Sequence, residues 1–359
     1  MKITDVEVIV LEHNWGPPEE GVNREWPLML VHTDEGISGL GRGGDPAIVR
    51  NELAPLLIGQ DPRRTAMLWQ KMYDHAWRFR GPDRAAFTSI GALDIALWDI
   101  VGKASGQPVW RLLGGYTDRV EVYADGIGYV DEDPETVAGL VKKHADEGYS
   151  HVKFHLSGYD DDVALEKVRL AREAVGPDVR IMLDAHRMWH GTVAAEMARK
   201  FEPYKLYWIE EPVRGDDEPR FYSMVREATS AMVAGGEGDG TLGGARRLIT
   251  EGGLQLLQTD IIIGGGYTGL LRFAALAHAH HVPIAPHGAQ YPDLSSHLVA
   301  AVPNGLIIPA CPDVEPYEIW SKLYSPRLEI NTGVIEMSDR PGLGLDLDWD
   351  FVDGHRKES

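Results

Sequence analysis

Residues 180–212 read RIMLDAHRMWHGTVAAEMARKFEPYKLYWIEEP. This stretch opens with an apolar run that ends at Asp184, continues through a helical segment, and closes with a second apolar run that ends at Glu210. An apolar run, a helical segment and another apolar run form the pattern of a parallel β–α–β unit. Both runs end in a carboxylate, and α/β folds build their sites at the carboxyl ends of parallel strands.

The same alternation extends in both directions from this unit, starting near residue 120. Short β-type runs lie at 120–123, 151–156, 180–183, 206–209, 232–234, 254–259, 282–285 and 306–308, with helical segments between them. Eight such runs in about 200 residues predict an α/β barrel. A doubly wound open sheet is the alternative on pattern alone. No GxGxxG follows the first run, however, so the dinucleotide-binding fingerprint is absent.

The first 115 residues have another pattern, which predicts a separate α+β unit. Alternating apolar residues predict strands at 2–11 and 28–33, and helical periodicity covers 46–58 and 63–73. The segment 13–26 is rich in Pro, Gly and Trp, as loops are, and is predicted to form a flap over a site. In 85–103 the apolar residues cover most of the helix circumference, so this helix is expected between two layers.

Composition restricts the kinds of partner. The 359-residue chain has a formal net charge of −20, and such a polyanion repels nucleic acid and anionic lipid. No stretch approaches the roughly 18 uncharged apolar residues of a membrane span. The single cysteine, Cys311, excludes an internal disulfide and fits a reducing compartment. We therefore expect a cytoplasmic protein without nucleic-acid or membrane partners.

Three carboxylates end successive runs of the predicted barrel. They are Asp184, Glu210 and Glu237, and they are spaced by about one β–α unit. On one barrel rim these groups would converge, so either their pKa values rise or a hard cation binds. Acids at strand ends can also cap the following helices, but three in a row favour a metal site. An all-oxygen set predicts Mg²⁺, which would also help an anionic substrate to bind a chain of this charge.

Further polar residues at strand ends are candidates for acid–base work. Asp260 and His287 end neighbouring strands, where the carboxylate would fix the tautomer of the imidazole and raise its basicity. Lys153 and His155 lie on one side of the second strand, and His186 follows the third. Each could be a base, an acid or a substrate contact. The alternative interpretations are a structural histidine at 287, a solvated lysine at 153 and a metal-supporting histidine at 186.

Several longer motifs resemble a known family over essentially the whole chain. They are TDEGISGLG (33–41), ALDIALWDIVGKASGQPVWRLLGG (92–115), WIEEP (208–212) and PGLGLDLD (341–348). Together with the Asp–Glu–Glu series, Asp260 and His287, they are similar to the mandelate racemase subgroup of the enolase superfamily. The resemblance implies a modified TIM barrel, (β/α)7β, at 116–325 beneath an α+β capping domain at 1–115, with the C-terminal tail 326–359 packing back on that domain.

The resemblance also implies a chemistry. It implies Mg²⁺ on Asp184, Glu210 and Glu237, and an enediolate intermediate formed by removing the proton alpha to a substrate carboxylate. The His287–Asp260 pair is similar to the general acid/base of the family. Family members are commonly symmetric oligomers, so the resemblance also implies a homo-oligomer.

The chain departs from the family pattern at three places. Many members carry Lys-x-Lys on the second strand, where this chain has Lys153-Phe154-His155. The pair Asp184 and His186 looks like the Asp-x-His of the dehydratases that act on galactonate and mannonate, whereas many members carry Asn at the second position. The glutamate of the eighth strand is not at its expected place, which Pro309-Ala310-Cys311 occupies, and Asp313 and Glu315 are the candidates nearby.

These features predict dehydration of an aldonic or aldaric acid to a 2-keto-3-deoxy acid. The polar rim (Lys153, His155, His186, Arg187) favours a polyhydroxylated carboxylate substrate, and Trp15, Arg24 and Glu315 are further candidates for binding it. A racemase, epimerase or cycloisomerase could use the same groups and remains an alternative. A binuclear metallohydrolase would need His-x-His on the first barrel strand, which instead is VEVYADG (120–126). A non-catalytic barrel predicts that ligand or dyad residues are lost, and all are present.

Overall fold

The fold is that of a computed structural model of the chain. It describes residues 1–15, 22–128, 133–156, 158, 160–214, 219–311 and 322–357; the side chains of 13–15 and 22–24 are outside the description. Within these residues the chain forms a three-stranded antiparallel sheet, a second sheet that closes into a barrel, and helices around both.

The N-terminal sheet is antiparallel and has the order β1-β2-β3. Its strands are β1 (Ile3–Trp15), β2 (Val22–Thr33) and β3 (Ser38–Arg42). The first two pair along their whole length, so that Trp15 lies opposite Val22. The prediction of a loop across 13–26 is therefore wrong for 13–15 and 22–26, because backbone pairing continues both strands past the apolar alternation. Residues 16–21 lie outside the described part of the chain.

Helices cover one face of this sheet. They are α1 (Pro46–Ile48), a π-helical turn (Val49–Leu53), α2 (Ala54–Leu57), α3 (Thr65–Phe79), α4 (Arg84–Ser105) and α5 (Val109–Leu113). Asp45 starts α1 by accepting hydrogen bonds from the first amides of the helix, and Gly106 ends α4 in a left-handed conformation. Apolar residues of the sheet and of the helices from α1 to α4 form one shared core, whereas Val109 and Trp110 of α5 belong to the core of the barrel.

The prediction that α4 lies between two layers is confirmed. It packs on β3 at one side, where the carbonyls of Ala92 and Ala96 come so close to Gly41 and Gly39 that no Cβ would fit. On the other side it contacts α11 (Gly266–Ala279) of the barrel unit. Within the described residues, α4 is the helix that is long and apolar enough to cross a membrane, and 78% of its apolar window is buried inside the protein.

The second sheet closes on itself as a parallel barrel. Its strands are β4 (Arg119–Ile127), β5 (His151–His155), β6 (Arg180–Asp184), β7 (Trp208–Glu210), β8 (Met232–Gly235), β9 (Leu256–Leu257) and β10 (Ile308–Ala310). Consecutive strands from β4 to β9 are neighbours, and β10 pairs with β4. Ile284 bridges Leu257 on one side and Gly305 on the other, so the seventh predicted run contributes a single bridging position. Closure confirms the barrel and excludes the open sheet.

Helices surround this barrel and apolar side chains fill it. The helices are α6 (Pro134–Asp146), α7 (Asp161–Val175), α8 (Gly191–Phe201) with a 3-10 turn (Glu202–Tyr204), α9 (Arg220–Arg226), α10 (Leu242–Thr250), α11 and α12 (Pro292–Ala301). Inside the barrel one cluster contains Tyr123, Met182, Trp208, Ala234, Leu256, Ala285 and Ile307. Because this interior is packed, the polar strand ends are confined to the rim.

The C-terminal tail contacts both units. Its strand β11 (Val334–Glu336) pairs antiparallel with β4 of the barrel. Its helix α13 (Trp349–His355) lies beside β1, and the amide of Lys357 donates to the carbonyl of Val10 at 2.8 Å. The division of the chain at 115 and 325 stays a prediction.

A buried ion pair also joins the N-terminal sheet to the barrel. The Nη2 atom of Arg42 on β3 lies 2.5 Å from Oδ1 of Asp293 on α12. The hydroxyl of Tyr324 donates to the other oxygen of the same carboxylate at 2.6 Å. Both charged side chains are nearly inaccessible, with 4% and 0% exposed, so the two units are fixed by charges that water does not screen.

Candidate active site

Register places the polar strand ends at one level of the barrel rim. His155 lies opposite Asp184, and Asp184 lies opposite Glu210. Glu237 follows the last residue of β8 by two positions. Parallel neighbours in register project their carboxyl ends to the same edge, so these residues, which are far apart in sequence, face one another.

Lys153 on β5 lies beneath this rim and is nearly inaccessible, with 1% of its side chain exposed. Its Nζ atom is 2.8 Å from Oε1 of Glu210, 3.4 Å from Oδ2 of Asp125 and 3.9 Å from Oδ2 of Asp184. Burial lowers the pKa of the ammonium group, but the charges of Asp125 and Glu210 outweigh it and raise that pKa well above its usual value. Lys153 is therefore a cation that neutralises carboxylates rather than a lysine with a depressed pKa.

His155 is held between two carboxylates. Its Nε2 atom donates to Oδ1 of Asp125 at 2.6 Å, and its Nδ1 atom lies 3.0 Å from Oδ2 of Asp184. Burial disfavours the charged ring, yet the charge and hydrogen bond of Asp125, followed by those of Asp184, raise the pKa of His155 to about 9. The two carboxylates therefore stabilise the charged form of this buried imidazole.

Asp125 at the end of β4 is a site residue that the sequence analysis missed. It is 2% exposed, and it contacts both Lys153 and His155. Burial raises the pKa of this carboxyl, but the charges of Lys153 and His155 hold it well below its usual range. The signal that could have found it was available, because Asp125 follows the first barrel run (120–123) closely, as Asp184 follows the third (180–183).

His186 is the accessible histidine on this side of the rim, with 38% of its side chain exposed. Its Nε2 atom lies 3.1 Å from Oδ2 of Asp184, and its ring stacks on that of His155 with centroids 4.7 Å apart. Its backbone amide donates to Oδ1 of Asp184 at 2.8 Å, and its φ of 46° is in the left-handed region. A non-glycine residue held there is strained, and such strain clusters at functional sites.

The predicted dyad is brought together. The Nδ1 atom of His287 donates to Oδ2 of Asp260 at 3.3 Å, and its Nε2 atom lies 3.3 Å from Oε2 of Glu237. The other oxygen of Asp260 accepts the amides of Ile262 and Ile263, so this carboxylate is fixed and orients the ring. Burial lowers the pKa of His287, but the charge of Glu237 and the hydrogen bond to Asp260 raise it to about 9.

Arg187, predicted as a substrate contact, forms two ion pairs in the structure. Its Nε atom is 3.1 Å from Oε2 of Glu211, and its Nη2 atom is 3.0 Å from Oε1 of Glu237. Glu211 is a second residue that the analysis missed; it also accepts from the hydroxyl of Tyr222 at 2.7 Å. Positive φ angles at Arg187 (60°) and Glu211 (40°) show that the backbone is strained to make this contact.

The three predicted metal ligands belong to two adjacent groups. Ligand atoms of Glu210, Glu237 and His287 lie within 4.8 Å of one another, and those of His155, Asp184 and His186 form a similar group. The ammonium of Lys153 lies between Glu210 and Asp184 and so joins the two groups. Basic side chains balance the carboxylates, and hydrogen bonds from histidines hold the pKa of Asp184 well below its usual value although burial raises it. The donors are of the kinds that a divalent cation binds.

Some candidates cannot be placed. Trp15 and Arg24 lie in β1 and β2, but their side chains are outside the described residues, as are Asp313 and Glu315 entirely. Cys311 after β10 is fully buried, and burial raises the pKa of its thiol well above the usual value, as expected for an inert cysteine. The electrophile of the eighth strand is thus not assigned by the described residues.

Comparisons with known proteins agree with this architecture. The family described as "Enolase C-terminal domain-like" matches residues 136–351, and the "Mandelate racemase / muconate lactonizing enzyme, N-terminal domain" matches residues 20–114. A mandelate racemase/muconate lactonizing enzyme from a marine actinobacterium, solved in complex with magnesium, has a TM-score of 0.88 at 32% identity, with 99% of both chains covered.

Curated relatives extend over nearly the whole chain. The D-galactarolactone cycloisomerase of Agrobacterium fabrum is 31% identical, with 98% of each protein covered. The D-xylonate dehydratase of Haloferax volcanii is 29% identical, over 99% of this chain and 89% of that protein. The fold and the family resemblance predicted from the motifs are thereby confirmed, and the protein belongs to the mandelate racemase/muconate lactonizing enzyme family of the enolase superfamily.

Proposed function

We propose that the protein dehydrates a sugar acid: it removes the proton alpha to the carboxylate and expels the hydroxyl of the next carbon. The product of an aldonic or aldaric acid is then a 2-keto-3-deoxy acid, and the enzyme is a lyase. One observation carries the proposal. Two partly exposed imidazoles, His186 and His287, lie at the two ends of a row of carboxylates on β6, β7 and the loop after β8.

The rim fits a divalent cation held by Asp184, Glu210 and Glu237. Carboxylate oxygens are the ligands that Mg²⁺ prefers, and two of these carboxylates already approach within 4.8 Å. A bound Mg²⁺ supplies charge neutralisation for the substrate carboxylate as its alpha proton is removed. The family member solved with magnesium supports this choice of ion.

His287 suits one of the two proton transfers. Asp260 holds its Nδ1 atom and fixes the tautomer, which leaves the Nε2 atom to exchange a proton with the substrate. Only the neutral ring can remove the C2 proton, and only the charged ring can protonate a leaving hydroxyl. The same side chain can serve in either role, but because its pKa is raised to about 9, the neutral form that removes the C2 proton gains population only as the pH rises towards that value.

His186 suits the other transfer better than Lys153 or His155. Those two side chains are 1% and 0% exposed and contact other protein groups, whereas 38% of the His186 side chain is accessible. A hydroxide is a poor leaving group, so an imidazolium close to the C3 hydroxyl lowers the barrier. Lys153 and His155 then act on the electrostatic balance of the rim and not on the substrate proton.

A cycloisomerase or epimerase is the second candidate function. It is favoured by the similarity to the D-galactarolactone cycloisomerase, at 31% identity over 98% of each chain. Both reactions begin with a proton transfer at the carbon alpha to a carboxylate, so the same two imidazoles would serve. They differ in the product. An epimerase returns a proton to C2 and forms no ketone, whereas a cycloisomerase that opens a lactone or anhydro ring by β-elimination forms a keto acid that is an isomer of its substrate.

The two candidates separate in deuterated water. The protein is incubated with Mg²⁺ and a panel of aldonic acids, aldaric acids and their lactones, and the products are treated with semicarbazide. Dehydration gives a keto acid that reacts; the His287→Asn variant is the matched control and should give none. A substrate that exchanges its C2 proton without forming a carbonyl, or a keto product with the same mass as its substrate instead of one lighter by a molecule of water, would disprove the dehydratase assignment and favour the second candidate.

A further inference from the structure

A cavity of about 550 Å³ lies beside the carboxylate row. It opens between the N-terminal end of α4, the loops after β7 and β8, and the start of α10. Gly236 and Gly238, which flank Glu237, line it, and so does Arg187. Its volume is within the range of about 300–1,000 Å³ that is usual for small-ligand sites.

The lining of this cavity has the opposite charge to the rest of the protein. Among the described residues, four arginines line it (Arg84, Arg187, Arg214 and Arg247), against two carboxylates (Glu211 and Asp239). The whole chain carries a formal net charge of −20, so a cavity rich in cations is unusual in it. Such a concave basic surface concentrates small anions, because its walls focus the field.

Both carboxylates of the cavity are already engaged by the protein. Glu211 accepts from Arg187, from the Tyr222 hydroxyl at 2.7 Å and from the Gly236 amide at 2.8 Å. Asp239 accepts from the amide and the hydroxyl of Thr241, both at 2.8 Å, at the start of α10. Neither carboxylate is therefore the partner of the outer arginines.

Arg84 and Arg247 are the two arginines of the cavity on which the site depends. Both side chains are exposed, and neither forms an ion pair with any residue of the described chain. Arg214 already has a polar partner of its own. A guanidinium offers a planar fork of N–H donors that fits two oxygens of one carboxylate or phosphate, and two such forks at one cavity fit an anion with several oxygens.

We propose that this cavity is a binding site for a small anion that carries at least two negatively charged oxygens, a phosphate or a carboxylate. The anion contacts Arg84 and Arg247, and the positive charge of Arg187 also attracts it. Because Arg187 also pairs with Glu237 at 3.0 Å, occupancy of the cavity changes the charge felt by the carboxylate row. The anion is either the far carboxylate of a diacid substrate or a separate molecule.

Calorimetric titration of the purified full-length protein with inorganic phosphate at low ionic strength tests the site without any turnover. Binding is expected, and the double variant Arg84→Gln/Arg247→Gln should bind roughly tenfold to a hundredfold more weakly, since hydrogen bonds to charged groups are lost. Arg246→Gln is the matched control, because Arg246 is an exposed neighbour that does not line the cavity. Residues 216–218 carry three carboxylates, so the titration also measures whether acids compete for these arginines.

Two results overturn the proposal: no heat of phosphate binding in the unmodified protein, or an equal loss of affinity in Arg246→Gln. Once phosphate binding is established, competition distinguishes the two sources of the anion. If phosphate raises the apparent KM of an aldaric acid but not that of the matching aldonic acid, the cavity takes the far carboxylate. If it changes neither KM and alters kcat alone, the ligand is a separate anion.

Discussion

Replacing Lys153 by Met removes a buried cation from among three carboxylates. Its Nζ atom lies 2.8, 3.4 and 3.9 Å from oxygens of Glu210, Asp125 and Asp184, with 1% of the side chain exposed. Met has similar length and fills the space, so the change is chiefly one of charge. Losing one partner of a buried ion pair typically costs about 3–5 kcal/mol of folding free energy. With three carboxylates left facing one another, we expect the upper part of that range.

The same variant tests the metal site through stability. A ligand that binds only the folded state at about 100 times its Kd adds about 2.7 kcal/mol to the free energy of unfolding. Without the ammonium group, a divalent cation meets one less positive charge beside Asp184 and Glu210. Mg²⁺ should therefore stabilise Lys153→Met more than it stabilises the unmodified protein, and it should recover a large part of the loss.

Urea-induced unfolding at several Mg²⁺ concentrations, with chelator-treated protein as the zero point, measures both effects. Lys167→Met is the matched control, because Lys167 is a lysine on α7 with 2% exposure that lies away from the barrel rim. The gain in free energy of unfolding that Mg²⁺ gives to Lys167→Met should equal the gain that it gives to the unmodified protein. A free energy of unfolding of Lys153→Met within about 1 kcal/mol of that of the unmodified protein would contradict the role of Lys153, because a broken buried pair is expected to cost about 3–5 kcal/mol. The prediction for Mg²⁺ is contradicted if the ion stabilises neither protein.

Three other predictions concern single residues. His287→Asn should keep the fold and the binding of Mg²⁺ but lose turnover by roughly 10²–10⁴-fold, measured as keto-acid formation; a normal rate would make His287 structural. Arg42→Leu leaves the buried carboxylate of Asp293 without its cation and should lower the free energy of unfolding in urea by about 3–5 kcal/mol. The double variant Arg42→Leu/Asp293→Leu should have a free energy of unfolding closer to that of the unmodified protein. If the losses of the two single variants simply add in the double variant, the pairing is contradicted. His297 is fully buried, and burial lowers its pKa from 6.5 to about 4. The neutral His297 ring therefore contributes fully to the free energy of unfolding above pH 6.5. This contribution, about 3 kcal/mol in all, is lost as the pH falls from 6.5 towards 4. Stability curves of the unmodified protein and of His297→Gln should converge over that interval, and parallel curves would refute the assignment.

The fold could be predicted to the level of its strands and layers. Apolar runs of strand length recur with helical segments between them, and burial on both faces of a parallel strand leaves that pattern in any sequence. The lengths of individual strands could not be predicted. The run at 282–285 pairs with its neighbours at Ile284 alone, whereas β1 continues to Trp15. The length of each strand depends on whether a neighbouring strand is present to pair with it.

The candidate site divides in a similar way. That Asp184, Glu210 and Asp260 face one rim follows from sequence, because every parallel strand of a barrel ends on the same side. The sequence does not predict which of the side chains at this rim form pairs with one another. His155 lies opposite Asp184 by register, yet its shortest contact is to Asp125, on the strand at its other side.

The sequence alone thus determined the alternation of strands and helices, the separate N-terminal unit and the chemical types that end the strands, since periodicity and strand-end residues are local properties of the chain. Closure of the parallel sheet into a barrel was decided by the tertiary structure. Only the tertiary structure decided that Lys153 and His155 are buried beside carboxylates, that the rim imidazoles of His186 and His287 are partly exposed, and that Arg187 both contacts Glu237 and lines a cavity. The physical reason is that exposure and ion pairing depend on distances between residues far apart in the chain. Those distances are set when the sheet closes and the cap docks, and no short segment specifies them.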